Sequence, residues 1–149
     1  MLYSKPCAYA IRAMAHVANL TGEVPAGGKE IAEAEGIPAP VLRKILQELV
    51  RMGLLDSRRG PGGGFRLARP AKRITLRDVV AAIDGLDQFQ ECAVGLERCS
   101  DDQPCPLHDN WKGLKNQFQA YLERTTLGEM ARAVQRKKEL MRTRGRRRN

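Results

Sequence analysis

Residues 28–69, GKEIAEAEGIPAPVLRKILQELVRMGLLDSRRGPGGGFRLAR, hold the order of elements that decides the fold. A short helical pattern ends at Gly36, a residue type that commonly terminates helices. Pro38 and Pro40 suit the first turn of the next helix, where a missing N–H costs no hydrogen bond. The predicted inner face of that helix consists of Leu42, Ile45, Leu49 and Met52. Two short β-type segments follow around a glycine-rich loop, so the stretch predicts a helix-turn-helix with a β-hairpin wing.

Helical periodicity on both sides of this stretch completes the predicted fold class. One apolar stripe precedes it over residues 9–18, and another follows over residues 75–85. A long amphipathic pattern then carries apolar side chains at a period near 3.6, namely Trp111, Leu114, Phe118, Tyr121 and Leu122. We predict a mainly α-helical protein with a small β-hairpin, in which a winged helix-turn-helix domain is joined to a long helix. The apolar face of this helix needs a partner, which could be the first domain or a second copy of the same helix, and the second case would make it a dimerisation helix.

The chain divides into five predicted parts. They are a winged helix-turn-helix domain (1–70), a connecting helix (71–86), a cysteine-rich cluster-binding loop (87–107), a dimerisation helix region (106–130) and a basic tail (131–149). Eight lysines and arginines, against one acidic residue, lie at or after Arg136. We expect this tail to be disordered and to add a non-specific affinity for phosphates.

The overall charge favours a polyanionic partner. The 149 residues carry a formal net charge of +9. No apolar run approaches the roughly 20 residues that a membrane-spanning helix needs. The N-terminal segment also lacks the small-residue cleavage site of a signal peptide. We therefore expect a cytoplasmic protein that binds no membrane.

The third helix is the candidate recognition helix. Arg43, Lys44 and Gln47 project from its outer face, and these side-chain types bind guanine, phosphate and adenine. Such a face on an isolated helix would more often be a solvated cationic surface. Its position after a short helix and a Gly-Ile-Pro turn favours contact with double-stranded DNA.

The glycine-rich loop is the candidate wing tip. Arg58 and Arg59 precede Gly62 and Gly63, whose missing side chains let backbone N–H groups approach phosphates. The loop has neither the Lys-Ser/Thr of a P-loop nor a helix opening from it, so it does not match a nucleotide-binding loop. A merely flexible turn is the alternative, but the preceding helix-turn-helix favours a wing that contacts DNA.

Three of the four cysteines lie in the stretch CAVGLERCSDDQPCPLH, residues 92–108, together with one of the two histidines. Structural disulfides are rare in the cytoplasm. The spacing is too wide for the C-x2-C pairs of a zinc ribbon and matches neither ferredoxin pattern. Two metal sites remain compatible with the spacing, a tetrahedral zinc site and a [2Fe–2S] cluster, each held by Cys92, Cys99, Cys105 and His108. Unligated thiols are the third possibility.

An enzyme is the least favoured class of protein. A thiol oxidoreductase that used Cys99 and Cys105 would be expected to carry a C-x-x-C pair, which the sequence lacks. Neither histidine has an obvious acidic partner at a fixed spacing. We therefore predict that the protein is not an enzyme.

Three motifs together resemble the Rrf2 family of bacterial regulators. They are the helix-turn-helix and wing pattern ending in RGPGGGFRLA, the loop C-x6-C-x5-C-x2-H-x2-W, and the segment TTLGEM. The likeness runs from about Leu2 to Met130. It implies a winged-helix homodimer in which the long helix, about residues 106–125, packs antiparallel against its mate. It also implies that such a dimer binds a pseudo-palindromic operator with two recognition helices and two wings.

The resemblance also implies a cofactor that controls DNA affinity. An iron–sulfur cluster would be held by the three loop cysteines, Cys92, Cys99 and Cys105. His108 resembles the histidine that is the fourth cluster ligand in the IscR branch of the family. The NsrR branch lacks it, holds a [4Fe–4S] cluster and in some members uses an N-terminal carboxylate, where this chain has Ala8. We therefore favour [2Fe–2S] with His108 over [4Fe–4S].

Two residues depart from the family pattern. Cys7 lies beside the N-terminal ligand position and is the alternative fourth ligand, although the role of a small buried side chain is favoured. Arg43 stands where IscR has an acidic residue, so the operator sequence does not carry over. The resulting prediction is a DNA-binding transcriptional regulator switched by an iron–sulfur cluster that responds to redox state, iron–sulfur status or nitric oxide. A winged-helix repressor with a structural zinc site is the alternative.

Overall fold

The computed structural model describes residues 3–20, 24–96 and 98–146. Within these ranges the chain forms six α-helices and one two-stranded antiparallel sheet, which confirms the predicted fold class. The helices are α1 (Lys5–Asn19), α2 (Gly28–Glu35), α3 (Ala39–Arg51), α4 (Leu76–Ile83), α5 (His108–Arg124) and α6 (Leu127–Arg146). The strands are β1 (Leu55–Arg58) and β2 (Gly64–Leu67), and two short 3-10 turns cover Ala71–Arg73 and Asp87–Gln90. None of the helices in these ranges is long and apolar enough to cross a membrane.

Helix α1 lies at the centre of the core. It begins after Ser4, whose hydroxyl accepts a hydrogen bond from the backbone N–H of Cys7. Its small and apolar side chains, including Ala10, Ala13 and Met14, are fully buried. Helices α2, α3, α4 and α6 all pack against it, as does strand β2. The helix-turn-helix and the C-terminal helix therefore share one hydrophobic core.

The helix-turn-helix forms where the sequence predicts it. Helix α2 ends at Gly36, which adopts a left-handed conformation with φ 59° and ψ 41°. The side chain of Ile37 is buried, and Pro38 immediately precedes the first turn of α3. Because glycine, a buried anchor and proline follow one another, the turn has little freedom to change the angle between α2 and α3.

One predicted core position of α3 is wrong. Leu42, Ile45 and Leu49 are buried as expected, but Met52 is 45% exposed. Met52 follows the last helical residue, so its side chain no longer lies on the inner stripe of the helix. Leu54, two residues later, enters the core instead.

The wing is fixed to the base of α2. Strands β1 and β2 pair from Leu55–Leu67 to Arg58–Gly64. Ala26, just before α2, adds a bridge to Phe65 through two backbone hydrogen bonds of 2.9 and 2.8 Å. A Cβ atom on Gly64 would lie 2.4 Å from the Ala26 carbonyl oxygen, at a φ of 147°. Only glycine allows the two backbones to approach this closely.

The predicted dimerisation region, residues 106–130, contains all of α5 and the first turn of α6. Helices α5 and α6 are separated at Thr125 and Thr126. The Thr125 carbonyl accepts a hydrogen bond from Leu76 N–H at 2.8 Å, and Leu127 N–H donates to the Ile74 carbonyl at 2.7 Å. These two bonds use backbone groups that a continuous helix would pair internally, so the chain changes direction here.

The prediction of a disordered basic tail is also wrong, because α6 continues through Arg146. One side of α6 packs against α1 and carries side chains at helical spacing. Leu127 and Ala131 are buried there, and Val134 and Lys138 are partly buried. In the sequence, the many charged residues around these positions hide their helical spacing. Residues 147–149, which include two of the predicted tail arginines, lie outside the described residues.

We predict that Thr126→Ala lowers the free energy of unfolding by about 1 kcal/mol, because α6 loses its N-terminal cap. The Thr126 hydroxyl accepts from Glu129 N–H, while the Glu129 carboxylate accepts from both the N–H and the hydroxyl of Thr126. Urea unfolding followed by circular dichroism measures the loss. Thr126→Ser keeps the hydroxyl and is the control, and equal stability of the two variants would contradict the assignment.

The same cap makes a pH-dependent contribution. The bonds from the Thr126 N–H and hydroxyl lower the pKa of Glu129 below its ordinary 4.5. Since the folded pKa is the lower one, the stabilisation is present above pH 4.5 and lost as the pH falls through the folded value. The stability difference between the wild type and Glu129→Gln should therefore shrink in acid.

Candidate DNA-binding surface and cluster loop

The outer face of α3 carries the predicted DNA contacts. Arg43 and Gln47 lie one turn apart with Lys44 beside them, and all three side chains are exposed. Among the ion pairs of the described residues, none involves Arg43 or Lys44. Their charges are therefore available to phosphates or base edges.

The wing tip presents two further exposed cations, Arg58 and Arg59. The tip glycines have a geometric role, since Gly62 has a φ of 72° and a Cβ on Gly63 would lie 2.3 Å from the Arg58 carbonyl oxygen. Arg66 differs from the tip arginines because its guanidinium lies 3.6 Å from the Asp56 carboxylate. The hairpin thus holds Arg58 and Arg59 on a tightly shaped loop.

His108 begins α5 and is only 6% exposed. Its Nδ1 lies 3.2 Å from the Cys99 Sγ, and its Nε2 lies 2.8 Å from the Asp101 Oδ1. When Nε2–H donates to the carboxylate, the lone pair of Nδ1 points toward the thiol. A carboxylate that holds the distal nitrogen is the usual way in which a metal-binding histidine is oriented.

Asp101 is itself held by a cation. Lys112, one turn after His108 on α5, donates to the two carboxylate oxygens at 2.7 and 2.8 Å. Lys112 and, to a lesser extent, His108 lower the pKa of Asp101, and the same carboxylate raises the pKa of Lys112. The sequence analysis missed both residues. The i, i+4 spacing of His108 and Lys112 was the available signal for the lysine.

The remaining loop cysteines are linked to the same helical turn through backbone groups. His108 N–H donates to the Cys105 carbonyl at 2.9 Å. Trp111 Nε1–H donates at 2.9 Å to the carbonyl of Glu91, the residue before Cys92. All three loop thiols are free and partly exposed.

The four predicted metal ligands are only partly brought together. Cys99 and His108 are in contact, whereas among the described residues the thiols of Cys92 and Cys105 make no hydrogen bond to that pair. In the part of the chain that the structure describes, no three Cys, His, Asp or Glu side chains are grouped so that they could hold a metal ion. A cavity of about 200 Å³ borders the Cys99–His108 pair and is also lined by Asp101 and Lys112.

Cys7, the alternative fourth ligand, occupies the hydrophobic core between α1 and its neighbours. Its side chain is fully buried. Burial, with a smaller contribution from the Asp84 carboxylate, raises the pKa of the Cys7 thiol to about 12. The thiol is therefore protonated at neutral pH and packs as a small apolar side chain.

The outer surface of α5 carries an apolar groove of about 620 Å³, lined in part by Trp111, Leu114 and Phe118. Leu114 is 59% exposed, and Tyr121 is also exposed. Leu122, which the sequence analysis placed in the dimer interface, is 1% exposed and lies in the core of its own chain. That placement is corrected, because a side chain buried in the core of its own chain is not available to a second copy.

The helix-turn-helix and its wing, with exposed cations on α3 and on the wing tip, are the elements of a winged-helix DNA-binding protein. A family model described as "Rrf2: Iron-dependent Transcriptional regulator" matches residues 3–133. The chain therefore belongs to the Rrf2 family of DNA-binding transcriptional regulators.

Individual relatives agree with this assignment. The chain is 34% identical over 122 residues to the HTH-type transcriptional regulator IscR of Vibrio campbellii, covering 82% of this chain and 72% of that protein. The structure of CymR, the global cysteine regulator of B. subtilis, is similar with a TM-score of 0.76 at 25% identity, covering 87% of this chain and 95% of that one. T. potens IscR is similar with a TM-score of 0.70 at 27% identity, covering 88% and 86%. These relatives are transcriptional regulators and not enzymes.

We predict that Cys7 reacts far more slowly with Ellman's reagent than the three loop cysteines in the reduced, cofactor-free protein. At pH 8 a thiol with a pKa of about 12 holds roughly a thousand-fold less thiolate than one at the ordinary 9.0. Stopped-flow absorbance should resolve three fast thiols and one slow thiol. Cys7→Ala should remove the slow phase alone, and four thiols reacting in one fast phase would refute the burial argument.

Proposed function

We propose that this regulator is switched by an iron–sulfur cluster bound at the cysteine loop, and that it acts as a homodimer on a pseudo-palindromic operator. The observation that carries the proposal is the contact between Cys99 Sγ and His108 Nδ1 at 3.2 Å, with Asp101 holding the other imidazole nitrogen. The similarity to IscR proteins supports the same kind of cofactor.

The donor types fit such a cluster. Three thiols and an imidazole are ligands of biological iron–sulfur centres, and a [2Fe–2S] centre accepts histidine in place of a thiolate. The proposed ligands are Cys92, Cys99, Cys105 and His108. The core position and high pKa of Cys7 favour His108 over Cys7 as the fourth ligand. A bound cluster would supply a redox-active centre whose charge and presence change with the conditions of the cell.

The protein's own residues prepare part of this site. Asp101 and Lys112 fix the ring of His108 so that Nδ1 stays directed at Cys99. Because Cys92 and Cys105 do not join that contact, a cluster held by all four ligands would draw them toward it. The cluster-bound loop would then differ from the cluster-free loop, and a ligand that favours one of the two would shift the population of the whole protein.

The position of the loop explains how such a shift would reach the DNA contacts. Cys99 N–H donates to the Gln90 carbonyl at 3.2 Å, and the neighbouring Phe89 packs against Phe118 of α5 with ring centroids 5.3 Å apart. A rearranged loop would therefore alter the surface of α5. If α5 pairs with its mate through Trp111, Leu114, Phe118 and Tyr121, that change alters the spacing of the two recognition helices.

Anaerobically purified wild-type protein should show the visible absorption bands of an iron–sulfur cluster. Combined Cys92→Ala, Cys99→Ala and Cys105→Ala substitutions should remove these bands and change operator affinity roughly 5- to 150-fold, the usual range of coupling between two sites. Absorption and EPR spectroscopy, with fluorescence anisotropy on operator DNA, measure both effects.

The control is Cys7→Ala, which removes a cysteine outside the loop and should keep the spectrum, while His108→Ala should alter it. A colourless protein containing one zinc per chain would refute the proposal in favour of a structural zinc site. Unchanged operator binding by the triple variant would show that the loop has no sensing role.

The wing makes a separate prediction about DNA affinity. Combined Arg58→Ala and Arg59→Ala substitutions should weaken binding to every duplex and reduce the slope of log K against log salt by about 1.8 per protomer, because two phosphate contacts are lost. Titrations at several salt concentrations measure the slope. Arg66→Ala, on the same hairpin but paired with Asp56, is the matched control, and equal slopes for both variants would contradict the role of the tip.

A further inference from the structure

Glu35, the last residue of α2, is a buried acid whose side chain is 1% exposed. A carboxylate without water must be compensated by cations or hydrogen-bond donors. Two cations and a histidine surround it. Lys138 Nζ lies 2.6 Å from Oε1, His16 Nδ1 lies 3.1 Å from Oε1, and Arg12 Nε lies 3.5 Å from Oε2.

Lys138 is the cation with the shortest contact, and it comes from a different part of the chain. Arg12 and His16 belong to α1, within the core domain, whereas Lys138 lies on α6, 103 residues after Glu35. It also lies beyond residues 3–133, the range matched by the family model. The contact therefore joins a residue inside the matched range to one beyond it.

The remaining partners compensate Glu35 incompletely. Within the described residues, neither Glu35 Oε2 nor His16 Nε2 makes a hydrogen bond, although both atoms are buried. A cavity of about 190 Å³, lined by His16, Glu35 and Lys138, lies beside them. Without Lys138, the carboxylate would have to admit water into this cavity or turn toward solvent, and either change would displace the end of α2.

The end of α2 determines where the recognition helix begins. Gly36 reverses the chain, and Ile37 N–H donates to the Ala32 carbonyl at 3.0 Å while its side chain is buried. The Pro38 carbonyl then accepts the first hydrogen bonds of α3. A displacement of Glu35 would therefore also move the start of α3, because the three-residue turn between them is stiff.

We propose that Lys138 and Glu35 are positioning residues for DNA recognition: their ion pair holds α6 against the turn that orients α3. The proposal goes beyond the cluster switch and does not depend on it, because it needs only the DNA-binding activity of the family. In this role α6 supports the helix-turn-helix through the Lys138–Glu35 contact. The solvent-facing cations of α6 are not required for that support.

Lys138→Met tests the proposal, with Lys137→Met as the matched control. The two lysines are adjacent and lose the same charge, but Lys137 is exposed and faces solvent. The DNA probes are a duplex selected by the wild-type protein from a random-sequence pool and a scrambled duplex of the same length. Binding is measured anaerobically, well below the unfolding temperature, with circular dichroism to establish that each variant is folded.

Lys138→Met should weaken binding to the selected duplex roughly 5- to 150-fold, the equivalent of one lost bidentate base contact, and leave the scrambled duplex little changed. Lys137→Met should affect both duplexes alike, and Lys138→Arg should restore discrimination. A merely stabilising contact would change the unfolding temperature but not the discrimination of the folded protein.

A double-mutant cycle with Glu35→Gln completes the test, since Lys138→Met should have little further effect once the buried charge is gone. The proposal is overturned if Lys138→Met and Lys137→Met behave alike, or if the effect of Lys138→Met persists in full with Glu35→Gln. The visible spectrum of the protein should be the same in all these variants, so a failure here is distinct from a failure of the cluster proposal.

Discussion

Two backbone hydrogen bonds at the junction of α5 and α6 determine how the C-terminal third of the protein is arranged. Leu76 N–H donates to the Thr125 carbonyl, and Leu127 N–H donates to the Ile74 carbonyl, so the chain pairs with the start of α4 for two residues. Ile74, Leu76 and Leu127 are buried around this pairing. Without it, α5 and α6 could continue as one helix, and α6 would not return to pack on α1.

In this arrangement the two ends of α5 make different contacts. Its first residue, His108, contacts the cysteine loop. At its other end Leu122 is buried, and the carbonyl of Thr125, the residue after the helix, accepts from the N–H of Leu76 at the start of α4. The 17 residues between them span about 25 Å as a stiff helix. The exposed apolar side chains Leu114 and Tyr121 lie between these ends. On the proposed mechanism, a change in the loop therefore acts on the dimer surface first and on the fixed end least.

Local signals in the sequence were sufficient for the helix-turn-helix and the wing. Gly36, Pro38 and the glycines of the wing have conformational requirements that short-range rules recognise. The junction at Thr126 also has a local signal, the capping pattern from Thr126 to Glu129, and the expected end of the long helix near residue 125 agrees with it. The stripe from Leu127 to Lys138 was hidden by the surrounding positive charge, which on its own resembles a solvated tail.

The features that sequence reasoning missed are contacts between distant polar residues. Glu35 follows a pattern typical of an exposed helical face, and nothing near it in the sequence indicates that Lys138 will neutralise it. Asp101 and Cys99 meet His108 only because the loop folds back on the start of α5. In both places a buried polar side chain is held by groups from two or more elements, which only the tertiary structure brings together.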